Sequence, residues 1–211
     1  MNDNLQAVTF DVGGTLIEPW PSVGHVYAEV ASRHGHKVSP EVLNERFRAA
    51  WKAKHNFEHS RADWANLVRA TFQNTACDAF FPELYDRFAS PDAWRVFDDV
   101  RPTLVHLKTR GLKLGIISNW DERLRPLLDK LDLAPFFDAI VVSSEIGFCK
   151  PAPEIFREAL RSLDVAAQRA WHVGDSEAED VQGARNVGMR ATARGQTADG
   201  QFALFPGISR R

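Results

Sequence analysis

The chain has 211 residues, 44% of them hydrophobic, with 26 Lys+Arg against 28 Asp+Glu for a formal net charge of -2. That length buries a substantial core, and domains of about 100 to 200 residues are usual, so one domain with an insertion is expected. Charges of both signs are interspersed, which excludes a nucleic-acid-binding face and a polybasic membrane surface and leaves a small soluble molecule as the expected partner.

From the start, Met1-Asn2-Asp3-Asn4 is polar and acidic, and no apolar run reaches the roughly 18 to 20 residues of a transmembrane helix, so a cytoplasmic protein is expected. Ala7 to Phe10 reads as a buried strand. About 80 residues of helical pattern follow. Val23, Val26, Tyr27, Val30 and Ala31 form one stripe, stopped near Gly35; Ser39-Pro40 opens a second helix with Leu43, Phe47, Ala50 and Trp51 on one face; Trp64, Leu67, Val68, Thr71 and Phe72 mark a third. Strands and helices then alternate: strand Leu112 to Ile117, helix Asp121 to Leu131, strand Ala139 to Val142, helix Pro153 to Leu163, strand Ala170 to Val173, helix Asp180 to Val187 closed by Gly188, and a weaker strand Arg190 to Ala193. The tail from Thr197 to Arg211 has little pattern. The alternation predicts an α/β fold, a doubly wound, Rossmann-like parallel sheet covered on both faces. The core is assigned to residues 1–17 and 96–211, and an inserted helical module to residues 18–95. The cysteines, Cys77 and Cys149, have neither metal-ligand nor redox spacing and fit a reducing compartment.

In an open parallel sheet, ligands bind beyond the carboxyl ends of the strands. Asp11 follows the first strand, Ser118 follows Leu112 to Ile117, Gly174-Asp175 follows Ala170 to Val173, and Lys150 reaches the same edge from the loop after Ala139 to Val142. A carboxylate nucleophile, a second carboxylate to share a divalent cation, a hydroxyl and an ammonium group make a phosphoryl-transfer site. The cation and Lys150 would neutralise phosphate oxygens that otherwise repel Asp11, while Ser118 and the backbone N–H groups of Gly13-Gly14 would hold them. Mg²⁺ suits the hard oxygen donors, and no His or Cys cluster competes for it. A P-loop does not apply, because the Gly-Lys-Ser/Thr ending is absent.

Four motifs in order carry a family resemblance. Asp11-Val12-Gly13-Gly14-Thr15, Ile116-Ile117-Ser118-Asn119, Lys150-Pro151-Ala152-Pro153-Glu154-Ile155-Phe156, and Gly174-Asp175-Ser176 through Asp180-Val181 and Gly183-Ala184-Arg185 resemble those of subfamily I of the haloacid dehalogenase superfamily, with a helical cap inserted after the first. Tyr85 to Trp94 and Phe97-Asp98 are similar to the branch that includes the rhythmically expressed gene product of flies and its vertebrate relatives. The resemblance implies a hydrolase of a small phosphorylated substrate. Asp11 would be nucleophile and metal ligand; Gly13, through its carbonyl, and Asp175 would be metal ligands; Asp180 would support the Mg²⁺ site directly or through Lys150. Thr15, Ser118, Asn119 and Lys150 would bind phosphate. Glu179 replaces the Asn common before the last Asp.

The chain departs from the family at Gly13, where typical phosphatases carry a second Asp. That Asp protonates the departing alkoxide and then deprotonates the attacking water, help worth roughly 10² to 10⁴ in rate. Three readings follow: a hydrolase whose leaving group needs no proton or whose acid comes from Glu18 or the cap; a phosphate- and Mg²⁺-binding regulator with little turnover; or a plain turn. Halide or phosphonate chemistry is a further alternative. Halide chemistry is disfavoured by the retained Gly174-Asp175, and phosphonate cleavage requires a Schiff-base lysine, for which only Lys37, Lys52 and Lys54 are placed. Restoring the acid as Gly13→Asp is expected to raise activity on alkyl esters. Trp20 and Trp120 are expected to pack between cap and core rather than to line a cleft, His55 and His59 to be solvated, and His172 to be buried in its strand. Cys149, beside Lys150, is a packed side chain or a thiol of lowered pKa.

Overall fold

The computed structural model describes residues 5–55, 57–74, 77–196 and 202–203. The first strand, β1 (Ala7–Phe10), is wholly buried, as expected of a central parallel strand covered on both faces. It leads through the Asp11 loop into β2 (Ile17–Pro19), which opens the helical segment. Four helices follow: α1 (Val23–Arg33), α2 (Pro40–Lys52), α3 (Arg61–Thr71) and α4 (Phe81–Arg87). α2 starts as the sequence suggests, with Ser39 accepting from Val42 N–H ahead of Pro40, and at α3 Ser60 forms a reciprocal capping box with Asp63. The chain returns along β3 (Trp94–Val96), antiparallel to β2 with Ile17 opposite Val96. This two-stranded stem, at three residues a strand, is too short to show a period of two in the sequence.

The alternating part begins one helix earlier than predicted, at α5 (Val100–Thr109), whose Val100, Leu104 and Leu107 face the sheet. Then come β4 (Lys113–Ser118), α6 (Leu124–Lys130), β5 (Ala139–Val142), the single turn α7 (Ser143–Ile146), α8 (Pro153–Leu163) and β6 (Ala170–Gly174). A π-helical turn over Glu177–Gln182 leads into α9 (Gly183–Asn186) and β7 (Arg190–Ala193), where one continuous helix was expected. The predicted tail from Thr197 lies outside the described residues except for 202–203, which pair with Gly195–Gln196.

The main sheet has the order β5-β4-β1-β6-β7, with every neighbouring pair parallel. Alternation along β1 sends Val8 and Phe10 to the face covered by α5 and α6, and Ala7 to the face covered by Ile155, Phe156 and Ala159 of α8. A separate cluster built from Val26, Val30, Leu43, Val68 and Phe72 forms the core of the helical segment. Among the described residues no helix is long and apolar enough to cross a membrane.

Candidate active site

The sheet puts the functional side chains at one edge by register. Phe10 lies beside Ile116 on one side and Val173 on the other, so Asp11, Ser118 and Asp175, each one or two residues further on, emerge together. The Asp11 loop is pinned from both ends. Its N–H donates to Val173 carbonyl at 2.9 Å, while Val12 and Leu16 sink into the core and Val12 carbonyl accepts from Leu16 and Ile17 N–H. Gly14 adopts φ +76°, and a Cβ there would stand 2.5 Å from Asp175 Oδ2, so conformation and close approach both require glycine. Its N–H donates to Ile17 carbonyl, which removes it from the expected set of phosphate-binding donors.

Lys150 is the electrostatic centre. Its Nζ lies 2.6 Å from Asp11 Oδ1 and 2.6 Å from Asp180 Oδ1, with the lysine side chain 2% exposed. Asn119 fixes the lysine backbone on both sides: its Oδ1 accepts from Lys150 N–H at 2.6 Å and its Nδ2 donates to Lys150 carbonyl at 3.1 Å. Asn119 Nδ2 also donates to Glu179 at 3.2 Å. The Asn119 side-chain amide therefore positions the lysine, while the residue also lines the cavity. Ser118 Oγ donates to Asp11 Oδ1 at 3.3 Å. Asp180 is held by Ser176 N–H at 3.0 Å and by His172 Nε2 at 3.1 Å, and Nδ1 of the same ring meets Thr9 Oγ1 at 2.9 Å. His172 is thus buried as expected, with a positioning role that an isolated His in an apolar strand does not advertise.

Burial opposes a charge on Lys150, but the Asp11 and Asp180 carboxylates outweigh it and hold its pKa above the ordinary lysine value. Burial also works against the Asp180 carboxylate, and there Lys150 and His172 win, lowering it. For Asp11 burial dominates over Lys150, with repulsion from Asp180 added, so its pKa is raised. Asp175, on the open side, is pushed up to about 7 by desolvation in the cleft and by the charges of Asp11 and Asp180. One carboxylate oxygen from each of Asp11, Asp175 and Asp180 lies within 4.8 Å of the other two. Three carboxylates facing one ammonium leave an excess of two negative charges, the donor set a hard divalent cation fits.

The cluster floors a cavity of about 420 Å³ that Gly13, Ser118, Asn119, Lys150, Asp175 and Asp180 line from below. Thr15 is not among its lining residues: it is fully buried, its carbonyl accepts from Arg194 Nη1 at 2.6 Å, and its Oγ1 has no hydrogen-bond partner among the described residues. The cavity roof comes from the helical segment and is largely aromatic, including Phe47, Trp51, Trp64 and Tyr85. Arg123 ties floor to roof, its guanidinium paired with Asp121, donating to Tyr85 carbonyl at 2.9 Å and lying 3.6 Å over the Tyr85 ring.

Several expectations change. His59 is not solvated: it is 6% exposed and lines the cavity, and burial together with Lys54 lowers its pKa to about 4. His55 is exposed. Trp120 lines the cavity and also packs on Trp94 at 5.2 Å, whereas Trp20 is 44% exposed beneath the Arg95 guanidinium. Glu18 pairs with Arg95 on the stem and is not presented to the cavity, so it is no substitute acid. Of the three lysines, only Lys54 reaches the cavity, with Nζ 3.8 Å from the Trp51 ring centre; Lys37 and Lys52 are exposed. Burial pushes the Cys149 thiol up, the opposite of activation.

Residues 5–188 match the haloacid dehalogenase-like hydrolase family. The chain is 38% identical over 202 residues to human haloacid dehalogenase-like hydrolase domain-containing protein 3, covering 89% of this chain and 80% of the human protein. It is 25% identical over 212 residues to the rhythmically expressed gene 2 protein of Drosophila melanogaster, covering 89% and 82%. Among solved structures, a HAD phosphatase from Thermococcus onnurineus superposes with a TM-score of 0.67 at 29% identity, covering 91% of this chain and 87% of that one. With its parallel sheet, helical insertion and four motifs in register, this chain belongs to the haloacid dehalogenase-like hydrolases.

Proposed function

We propose that the protein is a Mg²⁺-dependent phosphatase that hydrolyses a small phosphorylated metabolite through an aspartyl-phosphate on Asp11. The observation that carries this reading is Lys150 Nζ at 2.6 Å from both Asp11 and Asp180, inside a three-carboxylate cluster at the strand ends. When bound, Mg²⁺ would be held by Asp11, Asp175 and the Gly13 carbonyl, and would offset the negative charge shared by cluster and phosphate. Asp180 supports the site through Lys150 and His172, because both its oxygens are already engaged.

Asp11 attacks phosphorus while Lys150 and Ser118 hold the phosphoryl oxygens against it. Residues 18–95 act as a cap over a core of residues 1–17 and 96–211, excluding bulk water above Asp11. Gly13 brings no proton, so the first step favours leaving groups that depart as stable anions. Phosphonate and halide readings are weaker. Among the described residues the cavity lysines are Lys150, paired with Asp11 and Asp180, and Lys54, over the Trp51 ring, and Asp175 is retained where a halide site needs no cation.

A second reading is favoured by Gly13 itself: a phosphate- and Mg²⁺-binding regulatory protein with little turnover. A screen of phosphate esters with Mg²⁺, on wild type and Asp11→Asn, separates the two. Sustained turnover lost in the variant supports the phosphatase; Mg²⁺-dependent phosphate binding by calorimetry, with no turnover of any ester, supports the regulator.

A further inference from the structure

Gly13 lies against Trp120. A Cβ on Gly13 would stand 3.3 Å from Trp120 Cζ3, so a side chain at position 13 would require the indole to give by a few tenths of an ångström. From there the aromatic wall continues, Trp120 onto Trp94 at 5.2 Å and Trp94 onto Phe88 at 5.7 Å between ring centres. Across the same cavity Trp51 and Trp64 stack at 6.0 Å. Two buried polar atoms there, His59 Nδ1 and Trp64 Nε1, have no hydrogen-bond partner among the described residues, and their rings are 5.9 Å apart. Both nitrogens are covered by the surrounding side chains, so it is the ring faces and edges of this wall, not its polar atoms, that the cavity presents.

We propose, resting on the phosphatase reading above, that the substrate is the phosphate monoester of an aromatic hydroxyl, with its ring against Trp120 in the aromatic-lined cavity. Trp120 is then a specificity-determining residue, and Gly13 is the vacancy that admits it. The chemistry closes without an acid at position 13. An Asp11 carboxylate oxygen forms a bond to phosphorus, the bond from phosphorus to the aryl oxygen breaks, and the pair leaves on an aryloxide whose charge the ring delocalises. Solvent protonates that anion afterwards. Water then attacks phosphorus, the bond to Asp11 breaks, the carboxylate is restored, and inorganic phosphate and a proton go to solvent.

The test uses the full chain with Mg²⁺ and two ring pairs of equal size: phenyl against cyclohexyl phosphate for turnover, and phenylphosphonate against cyclohexylphosphonate for binding by calorimetry. The phosphonates report recognition without the difference in leaving group. Wild type is expected to bind the phenyl compound about 3- to 10-fold more tightly, the scale of one aromatic contact, and to hydrolyse phenyl phosphate at least about 100-fold faster, the scale of an unneeded proton donor. Trp120→Leu is expected to abolish the binding preference and Trp120→Phe to keep it. If the leucine variant does not fold, the wild-type pair and the phenylalanine variant still decide. Equal binding of the two phosphonates, or a preference that survives in folded Trp120→Leu, overturns the proposal. Asp11-dependent hydrolysis of cyclohexyl phosphate as fast as phenyl phosphate overturns it too, and leaves the phosphatase standing. Selective phenylphosphonate binding with no turnover of any ester supports the aromatic site and overturns the phosphatase.

Discussion

At the strand ends, Lys150 spans two carboxylates, Asn119 clamps its backbone, and His172 links Asp180 to Thr9, whereas the cap side of the same cleft is walled by rings and leaves His59 Nδ1 and Trp64 Nε1 without partners among the described residues. The floor is internally satisfied and fixed by sheet register; the roof is shaped by packing, and among the described residues two of its ring nitrogens are unpartnered while Tyr85 Oη and Trp94 Nε1 donate to Glu122 and the Phe88 carbonyl. A fixed floor suits the part of the reaction common to phosphate esters, and an incomplete roof suits the part that differs between substrates. The missing proton donor sits where the two meet, at Gly13 beneath Trp120.

The floor breaks most severely. Asp11→Asn is expected to lower turnover at least roughly 10⁴-fold, the scale of a lost nucleophile, with folding unchanged by circular dichroism. Lys150→Met removes the one cation from three carboxylates and is expected to destabilise the protein by about 3 to 5 kcal/mol in denaturant titrations. Added Mg²⁺ should return part of that stability by binding only the folded state. A melting midpoint that Mg²⁺ does not move would count against the cation site.

The junction gives a smaller and more particular effect. Gly13→Asp alone is expected to gain less on alkyl phosphates than the double variant, because its Cβ would stand 3.3 Å from Trp120, closer than ordinary van der Waals contact. Combined with Trp120→Leu, the same substitution is expected to raise alkyl-ester turnover about 10-fold or more. A full gain from Gly13→Asp by itself would show that the indole moves aside freely. This replaces the sequence-based expectation that the acid could simply be restored.

The roof is sensed through pH. His59 titrates near 4 in the fold against 6.5 for an ordinary histidine, so the unfolded chain binds more protons between those values. Its contribution to stability is present above pH 6.5 and is lost as pH falls towards 4, amounting to a few kcal/mol at most by roughly 1.4 kcal/mol per pH unit. Replacing His59 by Phe should flatten that part of the stability profile in urea titrations. The smallest effect is expected for Glu18→Gln, less than about 2-fold on any ester, since Glu18 pairs with Arg95 on the stem. A larger loss would reinstate it as the acid.

The floor was legible because each functional residue follows an apolar strand that is recognisable by itself. Asp11, Ser118, Lys150 and Asp175 were found that way, and Gly13 declared the missing acid. What failed were residues whose role depends on a distant partner. Thr15 is buried away from the cavity, and the side chain of Asn119, which does line it, holds the Lys150 backbone. His59 looked solvated because its neighbours in sequence are polar, while its neighbours in space are Trp51, Phe57 and Trp64. Arg123 gave no signal at all, although it joins the core loop to the Tyr85 helix.

By itself the sequence determined the alternating core, the inserted helices and the motifs, because strand burial, helix caps and glycine turns act through short-range periodicity and local conformation. Only the tertiary structure decided that Trp120 packs close over Gly13, that Asp180 pairs with Lys150 and His172, and that aromatic rings from the helical segment roof the cleft. The first two are set by the register of neighbouring parallel strands and their loops and the third by how the helical segment packs over them, and no local pattern encodes either.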